Sequence, residues 1–227
     1  MRTYLFYFLT LTSSIGFAQV NSETRKVGSF ESIKVGNSIE VRLTQGEKES
    51  VLVTAEGVAL NEVITNISGG VLKIGLDQFK FRTKVKVTVK VTYVRLHRIE
   101  VSTAASVLAD KPIKTESLEL EANTASSIEI AIDADKVIIE AATASDVILS
   151  GNVRQLNVVT ETSSNVDASQ LKTNKATAKA NTASGIRLFV TEDLTAEAKT
   201  AATIRYRGNP ARSNTSSTTA GTIKHVD

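Results

Sequence analysis

Asp133 and Asp135 are the two residues whose type and spacing come closest to a catalytic pair. Two carboxylates that face one groove, about 5 to 9.5 Å apart, can hydrolyse a glycosidic bond when the pKa of one is raised. Residues two apart on an extended segment point in the same direction. Nineteen residues later, however, the chain carries Asn152 and Arg154 rather than a second acid. We therefore interpret both as turn aspartates, and a carbohydrate-active lyase or hydrolase is the alternative.

Metal and nucleophilic chemistry have few candidate residues. The chain has no cysteine and two histidines, His97 and His225, which share neither an acid nor a ligand spacing. Serines and threonines are abundant, but no nucleophile elbow, Ser-x-x-Lys setting or phosphate loop accompanies them. The sequence thus predicts a protein that is not an enzyme, with no catalytic residue, no metal ligand and no cofactor.

The stretch from Phe79 to Val91 is the most polarised in the chain, with apolar residues or threonine at odd positions and mostly basic residues between them. This alternation predicts a strand with one buried and one cationic face. A cationic face could bind an acidic polysaccharide or another anionic surface. The favoured alternative is a long strand that outward lysines keep soluble and protect from edge pairing. The residues of the candidate anionic-ligand face are Lys80, Arg82, Lys84, Lys86 and Lys90.

A sequence repeat runs from Ile99 to the C-terminus and must position most of these residues. Its units are 18 to 21 residues long, and an aliphatic residue follows four positions after the first threonine of each. The seven units are marked by Thr103, Thr124, Thr143, Thr162, Thr182, Thr200 and Thr219. A period near 20 with strand-type alternation is typical of a solenoid, whose coils bury their apolar faces only by stacking. We predict an all-β protein with a right-handed parallel β-helix of about seven coils.

Within each unit, alternate positions are apolar or small and the positions between them are largely polar. In one unit Val137, Ile139 and Ala141 should point inward, whereas Glu140 should point outward. A second short strand should follow each Thr-Ala-Ser corner. Small residues suit a tight corner, where Ser and Thr hydroxyls can bond to local backbone. Acidic residues such as Glu119 in neighbouring units also face outward, so no single sign of charge covers the molecule.

Residues 30–98 form a β-strand region without the regular repeat. Ser38-Ile39-Glu40-Val41 nevertheless resembles Ser127-Ile128-Glu129-Ile130. The solenoid could therefore begin early and be interrupted, rather than follow a separate domain. At the other end, Asn214 to Thr219 is polar and is interpreted either as a capping coil or as a frayed tail.

The first 18 residues have the features of a signal peptide: Arg2, an apolar stretch from Leu5 to Phe17, and Gly16-Phe17-Ala18 as a cleavage motif. We expect a lead-in at 19–29 and one solenoid domain at 30–227, divided into 30–98 and 99–227. The mature chain would have no transmembrane segment, and it would be exported to the periplasm, the outer surface or the medium. The charge balance of 27 Lys and Arg against 24 Asp and Glu gives no reason to expect nucleic acid.

The following residues carry a likeness to a known family: Phe30-x-x-Ile33-x-Val35, Ser38-Ile39-Glu40-Val41-x-Leu43-x-Gln45-Gly46, Val51-x-Val53-x-Ala55, Gly70-x-Leu72-x-Ile74, and the Thr-Ala-Ser corners. From about Phe30 to about Tyr206 the chain resembles the head GIN domain family of putative autotransporter adhesins. The resemblance implies an exported protein of Bacteroidetes-type bacteria with a right-handed β-helical part. It supplies no catalytic motif.

These observations favour a noncatalytic, exported cell-envelope protein that acts as an adhesin or as a binding or structural module. An envelope polysaccharide or a surface protein is the expected partner, and the oligomeric state stays open. Besides the carbohydrate-active enzyme, an accessory role in envelope stress or signalling is a further alternative.

Overall fold

The computed structural model describes residues 20–77 and 85–227, and its regular elements are strands apart from one 3-10 helix, Leu60–Glu62. The strands are β1 (Asn21–Arg25), β2 (Ser32–Val35), β3 (Glu40–Gln45), β4 (Ser50–Glu56), β5 (Val63–Ser68), β6 (Val71–Leu76), β7 (Lys86–Tyr93), β8 (Arg98–Val101), β9 (Ser106–Ala109), β10 (Ile113–Ala122), β11 (Ser127–Ala141), β12 (Asp146–Thr160), β13 (Asn165–Ala180), β14 (Gly185–Ala198), β15 (Thr203–Arg207), β16 (Arg212–Ser217) and β17 (Thr222–His225). The predicted signal peptide at 1–18 lies outside the described residues.

Parallel pairing of equivalent strands stacks the repeats into a β-solenoid, as predicted. β10 to β14 follow one another in parallel, so that Leu120, Ile139 and Val158 lie in register in three successive coils. Each of these side chains is at most 1% exposed. The inward positions predicted from the alternation are therefore confirmed, and the aliphatic stack that they form is the core.

The two predicted strands of each middle coil are joined into one long, bent strand. β11 is 15 residues long and continues from one corner to the next. Its inward residues are at even positions as far as Ile132 and at odd positions from Val137 onward. The change occurs at the exposed pair Asp135 and Lys136, so the chain bends there, and Asp135 alone drops out of the register with β12.

Each corner holds two consecutive non-glycine residues in the left-handed region, for example Thr143 at φ 53° and Ala144 at φ 58°. This conformation costs roughly 1–2 kcal/mol per residue. A backbone ladder offsets part of that cost, since the Ala144 N–H donates to the Thr162 carbonyl at 3.0 Å in the next coil. The third corner residue is buried, and the Ser145 hydroxyl donates to the Ala122 carbonyl at 2.8 Å. Predicted hydroxyl bonding thus occurs, mainly to the preceding coil rather than to local backbone.

The solenoid begins before the regular repeat. β2 and β3 pair in parallel with β8 and β9, and between them Asn37 and Ser38 form an eighth left-handed corner. The chain then leaves the coil for β4 and β5, and β4 pairs antiparallel with both β1 and β7. It returns in β6 and β7, which pair in parallel with β2 and β3. An early, interrupted start is therefore correct. Val41 pairs with Val107, which in turn pairs with Ile128. The sequence resemblance sets Ile39 against Ile128, so the observed register differs from it by two residues.

The two ends of the stack are closed in different ways. At the N-terminal end, the predicted lead-in contains β1, and Arg25 donates to the Val63 and Leu60 carbonyls, each at 2.6 Å. At the C-terminal end, β16 pairs in parallel with β14, and all six of its residues are exposed. Its inward positions carry Ser213, Thr215 and Ser217. The polar segment is therefore a paired capping coil that presents hydroxyl groups to water.

Candidate functional site

One outward residue from each coil contributes to a straight row along the stack. Strand register places these residues side by side, roughly 4.8 Å apart. The row consists of Lys90, Arg42, Leu108, Glu129, Ile148, Asp167, Arg187, Arg205 and Lys224. We call the surface that this row follows the groove face. It is basic at both ends, and its centre is acidic and apolar.

A cavity of about 560 Å³ lies at the centre of the groove face. Leu108, Glu129, Ile148 and Asp167 line one side of it. Beside them Ala131 and Ser150 are paired in register, and their short side chains leave the space open. Ile148 is 50% exposed, although it lies within β12. The cavity therefore combines an accessible aliphatic side chain with carboxylates.

Asp167 is held in place at the edge of this cavity. Its Oδ1 accepts hydrogen bonds from the Ser169 backbone N–H at 3.0 Å and from the Ser169 hydroxyl at 2.6 Å, and its Oδ2 lies 3.1 Å from Arg187 Nη1. Partial burial alone would raise the pKa of Asp167, but these bonds and the Arg187 charge lower it below its usual range. The carboxylate is therefore ionised at neutral pH and acts as an acceptor rather than as a proton donor.

The candidate basic strand lies beside the cavity, on β7. Lys86 and Lys90 are exposed on its outward side, as the alternation predicts. Their neighbours carry both signs of charge, because Lys86 aligns with Glu56 and Lys90 with Arg42. Phe79, Lys80, Phe81, Arg82 and Lys84 lie outside the described residues. An anionic-ligand role for this strand remains a prediction.

The aspartates first considered for catalysis lie at the bend of β11, away from the cavity lining. Both Asp133 and Asp135 are exposed, and Asp135 Oδ1 accepts a hydrogen bond from Arg154 Nε at 3.3 Å. Asp133 aligns with Asn152 in the next coil. Asp135 is thus paired with a basic side chain rather than with a second carboxylate.

The two histidines are in separate places. His97 Nε2 lies 3.0 Å from Glu31 Oε2, near the start of the stack. His225 Nε2 lies 2.8 Å from the Gly208 carbonyl oxygen in the last coil, and its ring packs on Tyr206 with 5.1 Å between centroids. Within residues 20–77 and 85–227, no group of three His, Cys, Asp or Glu side chains is placed to hold a metal ion.

A second concentration of charge lies at the C-terminal end of the groove face and was not recognised from the sequence. It comprises Arg187, Arg205, Arg207 and Lys224, and we call it the cationic cluster. The row members Arg187, Arg205 and Lys224 are separated by 18 and 19 residues, so no local motif joins them. Comparing equivalent positions of successive repeats would have found them.

Comparison with known proteins gives matches in sequence and in structure. Residues 29–210 match the family described as Putative auto-transporter adhesin, head GIN domain. No curated protein matches the chain. Among the part of the chain that the structure describes, no helix is long and apolar enough to cross a membrane.

Three solved structures share the fold. A putative adhesin from Bacteroides fragilis is 21% identical with a TM-score of 0.84, and the match covers 92% of this chain and 97% of that one. A putative adhesin from Parabacteroides merdae is 18% identical with a TM-score of 0.68 and the same coverage. A putative lipid binding protein from Parabacteroides distasonis is 17% identical with a TM-score of 0.66, again over 92% and 97%.

Proposed function

This chain belongs to the family described as Putative auto-transporter adhesin, head GIN domain, and from that premise we propose that it is a noncatalytic binding module of the bacterial cell envelope. In this proposal the groove face holds a molecule of a cell surface. The leader-like segment at residues 1–18 supports export to the periplasm, the outer surface or the medium. An envelope polysaccharide or a surface protein is the proposed ligand class.

The observation that carries this proposal is the exposed Ile148 in the cavity. The other large exposed apolar residues among those described are Val20 and Val226, which lie at the two ends of the described chain. In the cavity lining, Leu108, Ala131 and Ile148 lie among polar side chains, and ligand cavities commonly combine apolar surface with a few polar groups in this way. Each Å² of apolar surface that a ligand covers contributes about 25 cal/mol. The cavity thus offers an apolar anchor, and Glu129 and Asp167 beside it can fix the ligand's orientation.

The length of the groove face supports adhesion rather than capture of one small molecule. The row continues through successive coils, so a long ligand can make contacts at several of them. Weak contacts that act together raise the overall affinity of a multivalent ligand well above that of each contact. Lys90 is the N-terminal member of this row, and Lys86 adds a second outward lysine on β7.

The test is a binding array of purified protein against glycans, envelope fractions and lipid vesicles at two salt concentrations. We expect saturable binding to a glycan or an envelope fraction. Binding that weakens as salt is raised would assign part of the affinity to the charged ends of the groove face. No binding at either salt concentration would overturn the proposal.

The same preparation tests the noncatalytic part of the proposal. It should release no product from a broad panel of polysaccharides. Turnover that disappears in Asp133→Asn or Asp135→Asn would instead support the carbohydrate-active alternative and contradict a noncatalytic role.

A further inference from the structure

The cationic cluster has more charge than the described structure neutralises. Arg187, Arg205 and Lys224 are neighbours in three successive coils, and Arg207 lies on the same side of β15 as Arg205. Only Arg187 has a carboxylate partner, Asp167, at 3.1 Å. No carboxylate among the described residues forms an ion pair with the other three cations. Three positive charges are therefore available to a ligand.

Arg207 is the most constrained of these cations. Its guanidinium carbon lies 5.0 Å from the centroid of the Phe189 ring, and its Nη2 donates to the Ser169 carbonyl. Its Nε is buried and has no hydrogen-bond partner among the described residues. Because that Nε is closed to solvent, an anion meets Arg207 only at the terminal nitrogens of its guanidinium group. Stacking on an aromatic ring also fixes the guanidinium plane, so little side-chain entropy is lost when an anion binds there.

A cleft of about 210 Å³ adjoins the cluster on the side of the corners. Arg187, Arg205, Asn165 and Thr203 line it, and Gly185 leaves it open. A Cβ at Gly185 would lie 2.8 Å from Asn165 Oδ1, so the Asn165 amide would have to shift. Guanidinium groups bind carboxylates and sulfates, whereas the amide and the hydroxyl can bond to sugar hydroxyl groups. The cleft therefore presents both kinds of contact that a charged sugar needs.

We propose that the cationic cluster and this cleft bind an acidic polysaccharide. Its carboxylate or sulfate groups lie against Arg205, Arg207 and Lys224, and its hydroxyl groups bond to Asn165 and Thr203. The cations follow one another from coil to coil at roughly 4.8 Å, which suits a linear polymer lying along the stack. This site is separate from the central cavity, so it stands whether or not the cavity binds a ligand of its own.

Two other anionic partners fit the cluster less well. Single-stranded nucleic acid is usually held by bases that stack on exposed aromatic rings, whereas Arg207 covers the Phe189 ring. Insertion into a membrane surface would need apolar side chains beside the cations. The aliphatic residues of the cleft lining, Val166 and Ile186, are buried, and the other residues that adjoin the cations there are small or polar, such as Ala183, Ala201 and Thr203.

The experiment measures the affinity of the full chain for polygalacturonate and for chondroitin sulfate, with neutral dextran as the uncharged comparison. The test variant is the double substitution Arg205→Ser with Lys224→Ser. The control is Lys114→Ser with Lys136→Ser, which removes the same charge from exposed lysines in β10 and β11. Because the test variant loses two charged contacts, we expect its affinity for the acidic polysaccharides to fall by about tenfold. The affinity of the control variant should stay within about twofold of that of the parent, because exposed charges away from the site contribute little.

Several results would overturn the proposal. Equal losses in both double variants would assign the binding to net charge, and no binding to either polysaccharide would remove the site altogether. Tighter binding to single-stranded DNA or to anionic vesicles would assign the cluster to another partner. The variant Ile148→Asn should bind both polysaccharides as the parent does, which separates this site from the cavity. Far-ultraviolet circular dichroism should show all variants folded, since Arg205 and Lys224 are exposed.

Discussion

The interrupted N-terminal region, residues 30–98, and the regular coils, residues 99–227, share one corner geometry but form their outward surfaces differently. In the N-terminal region the candidate cationic face belongs to a single strand, β7, where Lys86 and Lys90 lie four residues apart on the outward side. In the regular coils the groove face takes one residue from each coil, and its members are about one repeat apart in sequence. A surface of the first kind can be found from local alternation, whereas the second kind requires the register of the stack.

The two regions also differ in how they end. Antiparallel strands and the hydrogen bonds of Arg25 close the N-terminal end. The regular coils end in β16, whose inward positions are polar and exposed. Closure at one end therefore depends on specific hydrogen bonds, and at the other end on replacing aliphatic residues with hydroxyl groups. Substitutions at the two ends and in the middle should reveal this difference.

The largest expected effect comes from Ile139→Asp in the middle of the regular coils. Ile139 is fully buried between Leu120 and Val158. An unpaired buried carboxylate costs several kcal/mol and also removes packing shared by two coils, so the stack should unfold. The adjacent, outward Glu140→Ala should change the free energy of unfolding by less than about 0.5 kcal/mol. Urea denaturation measures both, and equal effects would refute the assignment of inward and outward sides.

A smaller effect is expected at the N-terminal closure. Arg25→Gln removes the bonds to the Val63 and Leu60 carbonyls and the bond to the Thr65 hydroxyl at 2.8 Å. Leaving these acceptors without their charged donor should lower the free energy of unfolding by about 1–3 kcal/mol. The neighbouring, exposed Lys26→Gln is the control and should have almost no effect. If thermal denaturation gives the same midpoint for both variants, Arg25 does not close this end.

The smallest effects concern pH, and they separate the two regions. The pKa of Asp167, in the regular coils, is lowered in the folded protein, because the Ser169 and Arg187 contacts outweigh burial. Its contribution to stability is present above the unfolded pKa of about 3.9 and is lost as pH falls through the folded value. Asp167→Asn should therefore reduce the loss of stability in acid below about pH 4. An unchanged acid profile would contradict this origin.

The N-terminal region should instead show an effect in alkali. Burial raises the pKa of Tyr93 from 10.0 to about 12. Its neutral form favours the folded state, so this contribution is full below about pH 10 and is lost as pH rises toward 12. Tyr93→Phe should remove that part of the loss of stability at high pH. The dependence of stability on pH in acid should stay unchanged. Urea midpoints measured from pH 8 to 12 provide the test.

The sequence predicted those features that depend on local periodicity. The inward Val137 and Ile139, the outward Glu140 and the corner repeat all follow from alternation and from a period near 20. The left-handed Thr143 and Ala144 could not be predicted, because neither residue type favours positive φ. Their conformation depends on the ladder between coils, which exists only after stacking.

The candidate sites were less accessible to sequence reasoning for the same reason. The central cavity arises because the short side chains of Ala131 and Ser150 meet in register beside Ile148. Arg207 reaches Phe189 from a different coil. Such contacts depend on register and on the exact length of each repeat, and β13 contains irregularities that shift the register locally.

The most direct test of the proposed function measures the binding of labelled protein to bacterial cells or envelope fractions for the parent, Ile148→Asn and Ile138→Asn. Both isoleucines are outward, but Ile148 lines the cavity and Ile138 lies on another side of the solenoid. We predict that Ile148→Asn weakens binding by about tenfold, as expected for the loss of about 1–2 kcal/mol of apolar contact, while Ile138→Asn binds like the parent. Equal binding by all three proteins would contradict the central cavity of the groove face as the binding site.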